Sequence, residues 1–187
     1  MTSPAPEVAI PAPPVDRAGL MGFLEALGIA GQTFTHPPVN TVEEALTHWA
    51  AIPGVHAKNL FLKDAGGQLW LVVVPFARRV DLKALPRQIG SKRLSFGRGT
   101  LLEEVLGVLP GSVTPLAMIN DAEGRVKLVL DAWMMAQPRL AFHPLENTAT
   151  VSLGNADFRR FLTHLGQSWQ EVDLGGDPGP DSETPAP

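Results

Sequence analysis

The sequence predicts a mixed α/β domain built on a largely antiparallel sheet with helices around it. Three observations carry that reading. Two stretches place Gly and Asp between β-rich runs, as hairpins do: "NLFLKD" through Ala65-Gly66-Gly67 into "QLWLVVV", and "PLAMIN" through "DAEG" into "RVKLVLD". Apolar residues recur at helical spacing elsewhere, as in Leu20, Phe23, Leu24 and Leu27. Strands and helices also interleave along the chain, which favours a mixed sheet over segregated layers.

The elements follow in order. Asp16 is a good N-cap for the first helix, and Gly28 stops it. "IAGQTFTH" reads as a short strand ended by Pro37 and Pro38. Thr41 with Glu44 forms a capping box for a second helix, whose buried stripe is Val42, Ala45, Leu46 and Trp49. After the first hairpin, "VDLKALPRQIG" starts at Asp81 but carries Pro86, which predicts a kink or a helix that restarts there. Thr100 with Glu103 is a further capping box, and Gly107 ends that helix. Ala149–Leu153 is a strand. Asn155 caps a last helix that buries Phe158, Phe161, Leu162 and Leu165, and "SWQEVDL" supplies a final strand.

At 187 residues the chain suits one domain with a full core, and its 44% apolar content is ordinary for a globular protein. Residues 1–15, rich in Pro and Ala, and the acidic tail 175–187 are expected to be disordered, leaving a domain at 16–174. The absence of cysteine excludes disulfides and thiolate-ligated metals, and it fits a cytoplasmic home. "MTSPAPEVAIPAPP" is not read as a secretory signal, and no apolar run reaches membrane-spanning length.

Net charge is −4, yet its distribution is uneven. From Lys58 to Arg98 nine basic residues face only Asp64 and Asp81; six basic and seventeen acidic residues make up the remainder. Such polarity lets an acidic protein offer one face to a polyanion. Arg78, Arg79, Lys92 and Arg93 are the candidate phosphate contacts.

No phosphate loop, dinucleotide fingerprint or Gly-x-Ser-x-Gly elbow is present, and the five histidines lack metal-ligand spacing. No metal or cofactor is expected. Three polar clusters remain, each beside an apolar run: His56-Ala57-Lys58-Asn59, "PGSVTP" (110–115) and "FHPLENTAT" (142–150). A lysine at the mouth of a buried strand is costly to desolvate and calls for a reason. A Gly-Ser turn can aim backbone N–H groups at an oxyanion. The four tryptophans are dispersed and read as packing residues, with no aromatic platform for bases.

Together, "HAKNLFLKDAGGQLWLVVV", "VDLKAL…KRLSF", "LEEVLGVLPGSVTP", "INDAEGRVKLVLD" and "FHPLENTATV" resemble the YbaK/prolyl-tRNA-synthetase-associated editing family, and most closely its freestanding ProX-type branch. That resemblance implies a sheet curled into a barrel-like core and a cleft for the 3′ end of a mischarged tRNA. It implies hydrolysis of alanyl-tRNA(Pro), with a prolyl-tRNA synthetase as a further partner. The family's lysine falls on Lys58 with Asn59 beside it, its Gly-x-x-x-Pro loop on Gly111–Pro115, and the histidine of its third block on His143. Lys58, Gly111, Ser112 and His143 are therefore the catalytic candidates. Asn59, Val113, Thr114, Pro115, Asn147 and His36 are the substrate-binding ones. The Gly111 and Ser112 amides would serve an oxyanion, Lys58 would position and stabilise negative charge, and His143 would orient the ester or relay a proton. Two alternatives stay open: a deacylase for a seryl or cysteinyl ester, and a non-catalytic module that grips tRNA or a synthetase.

Overall fold

The computed structural model describes residues 8–38 and 47–175. Its strands are β1 (Gln32–Thr35), β2 (Val55–Asp64), β3 (Leu69–Pro75), β4 (Leu94–Phe96), β5 (Val126–Asp131), β6 (Arg139–Phe142), β7 (Ala149–Gly154) and β8 (Trp169–Val172). Its α-helices are α1 (Arg17–Ala26), α2 (Leu85–Ile89), α3 (Gly99–Leu106) and α4 (Asn155–His164). The eight strands form one mixed sheet in the order β1-β7-β6-β2-β3-β5-β8, with β4 joining β2. β2 runs antiparallel to β3 and β4 and parallel to β6, while β3-β5 and β5-β8 are parallel pairs.

The sheet curls because β2 belongs to two halves. Leu71, Val73, Leu128 and Leu130 from one half share a core with Leu140, Phe142, Val151 and Leu153 from the other. α1 and α4 add Leu20, Phe23, Leu24, Phe158, Phe161 and Leu162 to it. The opposite face of β2-β3-β5 carries a second, smaller core of Leu62, Trp70, Val72, Val74 and Val129, covered by Leu85 and Ile89 of α2. Alternation along β2 assigns Phe61 and Val55 to the first core and Leu62 to the second.

Most local expectations hold. The Asp16 carboxylate accepts from the Gly19 N–H at 2.8 Å, capping α1. The first hairpin turns on Asp64, whose Oδ1 accepts from Gly66 and Gln68 N–H groups at 2.8 and 3.1 Å. Pro86 sits in the first turn of α2, where its missing N–H costs nothing, so the helix restarts there. Asp81 instead makes a turn by accepting from Lys83 N–H at 2.8 Å.

Four expectations need correction. "PLAMIN" is a buried 3-10 helix, Pro115–Asn120, and no second hairpin forms. Pro115 has no N–H to give a strand ladder, and the Thr114 hydroxyl accepts from Leu116 N–H at 3.3 Å to start the helical turn. Thr100 lies inside α3, whose N-cap is Arg98, so its capping box is not made. Asn155 opens α4 without capping it; its amide donates to the Met135 and Gln137 carbonyls at 3.1 and 3.0 Å. Residues 8–15, expected in a disordered extension, lie against the domain. The Val8 carbonyl meets His164 Nε2 at 2.6 Å, and the Val15 N–H donates to Asn120 Oδ1 at 2.6 Å.

The expected second helix falls mostly outside the described residues; 47–49 are helical. Among the described residues no helix is long and apolar enough to cross a membrane.

Candidate active site

The site forms at a gap in the edge of β2. On one edge, β2 pairs with β6 only at Val55 and His56, and with β4 only at Leu62–Asp64. Between those pairings the two neighbours splay apart. The Gly111 loop enters here: Asn59 Nδ2 donates to the Val113 carbonyl at 2.8 Å. That bond fixes the amide's orientation, since a carbonyl can only accept. Asn59 Oδ1 is consequently the end left over, buried and with no hydrogen-bond partner among the described residues. A buried acceptor without a donor is costly and suits a ligand that supplies one.

Gly111 has φ +91°, a conformation that side chains resist. It also lies beside Asn147, whose Nδ2 would be 3.9 Å from a Cβ added there. Three separate segments, at Asn59, Gly111–Val113 and Asn147, therefore meet. The Ser112 N–H is already engaged by the Leu109 carbonyl at 3.0 Å, which corrects its expected role as an oxyanion donor. The Gly111 N–H donates to no protein acceptor among the described residues and remains available.

Lys58 follows the parity of His56 and Leu60, so it leaves β2 on the face opposite Asn59. It is half-buried at the rim. Burial, and then the nearby Arg79 guanidinium, pull its ammonium below the usual lysine range. His56 and Ala141 form the last rung between β2 and β6. Lys58 and His143 each lie two residues beyond it, at matching positions along the two chains.

Imidazoles cluster on this side. His36 stacks on His48 with ring centroids 5.9 Å apart and lies 6.4 Å from His143. His143 Nδ1 is 3.1 Å from the Ala149 carbonyl and must be its protonated nitrogen, leaving Nε2 as a lone pair. Burial, and secondarily His36, hold its pKa below the ordinary histidine value, so the lone pair persists at neutral pH. His56 is lowered further, to about 4, by burial above all.

Several candidates take other positions. His36 is buried with both nitrogens engaged: Nδ1 with the Pro37 carbonyl and Nε2 with the Thr150 hydroxyl, each at 2.9 Å. It braces the histidine cluster and presents no free nitrogen to a substrate. The side chains of Thr114 and Pro115 are buried in the start of the 3-10 helix, so they support the loop from inside. Arg78 is 2% exposed and ion-paired to buried Asp131 at 3.0 Å, which removes it from the phosphate-facing set. Arg79, Lys92 and Arg93 are exposed. Lys92 and Arg93 flank the Asp64 end of β2, roughly 20 Å along the strand from Lys58.

The sequence gives Trp49 only as a packing residue of the second helix and does not single out Phe76. Trp49 stacks on His56 at 4.5 Å and meets Phe76 edge-on at 4.6 Å. An aromatic seven residues before a histidine, across a Pro-Gly turn, was the available signal. Among the described residues no group of three or more His, Asp or Glu could hold a metal ion.

The aminoacyl-tRNA editing domain family matches residues 36–161, and the chain belongs to that family. It is 40% identical over 155 residues to prolyl-tRNA synthetase associated domain-containing protein 1 of Bos taurus, covering 80% of this chain and 90% of the relative. It is 34% identical over 159 residues to the prolyl-tRNA editing protein ProX of Acetoanaerobium sticklandii, covering 84% and 97%. A solved structure described as a candidate trans-editing enzyme for prolyl tRNA synthetase shares the fold, with TM-score 0.62 at 19% identity over 83% of this chain and 94% of that one.

Proposed function

We propose that the protein is a trans-acting aminoacyl-tRNA deacylase that hydrolyses the ester of mischarged tRNA, with alanyl-tRNA(Pro) as its substrate. The observation that carries this reading is the meeting of Asn59, Gly111 and Asn147 at the edge gap beside Lys58. The 34% identity to a prolyl-tRNA editing protein supports the choice of tRNA.

In this reading water attacks the ester carbonyl while His143 Nε2 takes its proton. The carbonyl oxygen becomes an oxyanion met by the Gly111 N–H, and Lys58 adds positive charge from the other face of β2. Collapse breaks the bond to the ribose oxygen, which recovers a proton and leaves as the free tRNA terminus. Asn59 Oδ1 accepts from a hydroxyl or ammonium group of the substrate. Lys58 acts by charge and position, and its lowered pKa reflects the cost of holding that charge at the rim.

The test is a panel of tRNAs charged with alanine, serine, cysteine or proline. Wild type should release alanine from alanyl-tRNA(Pro) and spare the cognate prolyl ester. Lys58→Ala should lose about a hundredfold in kcat/KM with its melting temperature kept, in the range expected for one charge-stabilising group. Preferred release of serine or cysteine would reassign the pocket. Tight binding with no hydrolysis of any ester would make the protein a binding module.

A further inference from the structure

Phe96 is 64% exposed and is the only aromatic side chain in the exposed class among the described residues. A lone exposed apolar residue is common and needs no explanation. Its location is what carries meaning. Phe96 pairs with Leu62 across β4 and β2, and paired residues share a face. Leu62 has the same parity as Lys58, so Phe96 stands on the face of Lys58, about 13 Å further along the strand.

The backbone holds it there. Gly97 N–H donates to the Phe61 carbonyl at 2.9 Å, and a Cβ on Gly97 would come within 2.4 Å of the Phe61 ring. Only glycine lets the chain pass so close, and Phe96 is left standing clear of the core. Its surroundings are cationic. Lys92, Arg93 and Arg98 are exposed, and no acidic residue occurs between Asp81 and Glu103. Beyond Arg98, a Cβ added to Gly99 would come 3.1 Å from the ring of Pro110, so the chain passes from Phe96 to the loop that carries Gly111 on the Asn59 side of β2.

An aromatic ring beside exposed cations, on the face of β2 that carries Lys58, fits unpaired nucleotides: bases stack on rings and phosphates meet guanidinium groups. We propose that Phe96 is the stacking platform for a base in the single-stranded 3′ end of the tRNA, with Arg93 and Arg98 on the flanking phosphates. This rests on the reading of the protein as acting on charged tRNA. The ring holds the strand in line, and Lys58 receives its last nucleotide.

The experiment uses the full chain and an RNA hairpin ending in four unpaired 3′ nucleotides, with 2-aminopurine at each of the last three in turn. A blunt hairpin of the same stem is the control. Wild type and Phe96→Trp should quench the fluorophore at one position, and Phe96→Ala should not. Phe96→Ala should also weaken binding of the overhanging hairpin about tenfold while binding the blunt one like wild type, since one base–aromatic stack is worth about 1–3 kcal/mol. Equal affinity of wild type and Phe96→Ala for the overhanging hairpin would overturn the proposal. An equal loss on the blunt hairpin would do the same, as it would move the ring's partner to the duplex or to a protein. The platform and the deacylase fail separately. Position-specific quenching without ester hydrolysis keeps the platform and sinks the deacylase; full hydrolysis with unaltered Phe96→Ala binding does the reverse.

Discussion

His56 donates through Nε2 to the Ile52 carbonyl at 3.2 Å and lies flat on Trp49, so protonating it means charging a ring that burial keeps neutral. Its folded pKa of about 4 is below the unfolded value near 6.5. Between those two values the unfolded chain binds one more proton than the folded one. Stability from this group is therefore complete above pH 6.5 and is lost as pH falls through 4, by about 3 kcal/mol in total. Urea denaturation at pH 7 and pH 4 should show wild type losing about that much more than His56→Gln; parallel losses would contradict the assignment. Gly111→Ala should cost about 1 kcal/mol, because its φ of +91° penalises a Cβ, and should lower kcat if its N–H meets the oxyanion as proposed. Melting curves and single-turnover rates would check both effects. At this scale the sequence was informative where a polar pair interrupts an apolar run, as at Lys58-Asn59. It was silent on Arg78, because exposure there depends on Asp131, a residue far along the chain.

The link between the end of β3 and β5 depends on that buried pair. Arg78 meets Asp131 at 3.0 Å and also donates to the Gly175 carbonyl, so it ties the segment after β3 to the C-terminal end of the domain. Removing one partner strands the other's charge. Asp131→Leu should cost about 3–5 kcal/mol, and Arg78→Met/Asp131→Leu should recover most of it, as measured by urea midpoints. Elements with strong local logic were legible in advance: α1 from its cap and stripe, the β2-β3 hairpin from its Asp-Gly turn, α2 from Pro86. The Pro115–Asn120 segment was not. A continuous apolar run has no period, and its helical turn is decided by Thr114 and by Asn120, which binds Val15 and Leu106 from distant parts of the chain.

Across the whole molecule the charge pattern predicts salt sensitivity. Affinity for uncharged tRNA should fall linearly on a log–log plot against salt, and Arg79→Ala/Lys92→Ala/Arg93→Ala should flatten the slope by about 0.7–0.9 for each phosphate left without its cation. An unchanged slope would mean these side chains face solvent only. Deleting residues 1–14 should lower the melting temperature, because the Val8 carbonyl's bond to His164 disappears and the segment that Asn120 holds is cut short at Val15. Fold class and the meeting of three segments were readable because each segment has its own signature; which side of the sheet each side chain takes required the register. That register has a consequence of its own. β2 presents its amine on one face and its amide on the other only because of where its rungs fall against β3 and β6. Adding one residue just upstream of position 58 would swap them, aiming the ammonium at the Val113 carbonyl side and taking the carboxamide away from it. Chemistry and fold are thus keyed to a single count of residues, and the strand cannot drift by one without forfeiting both.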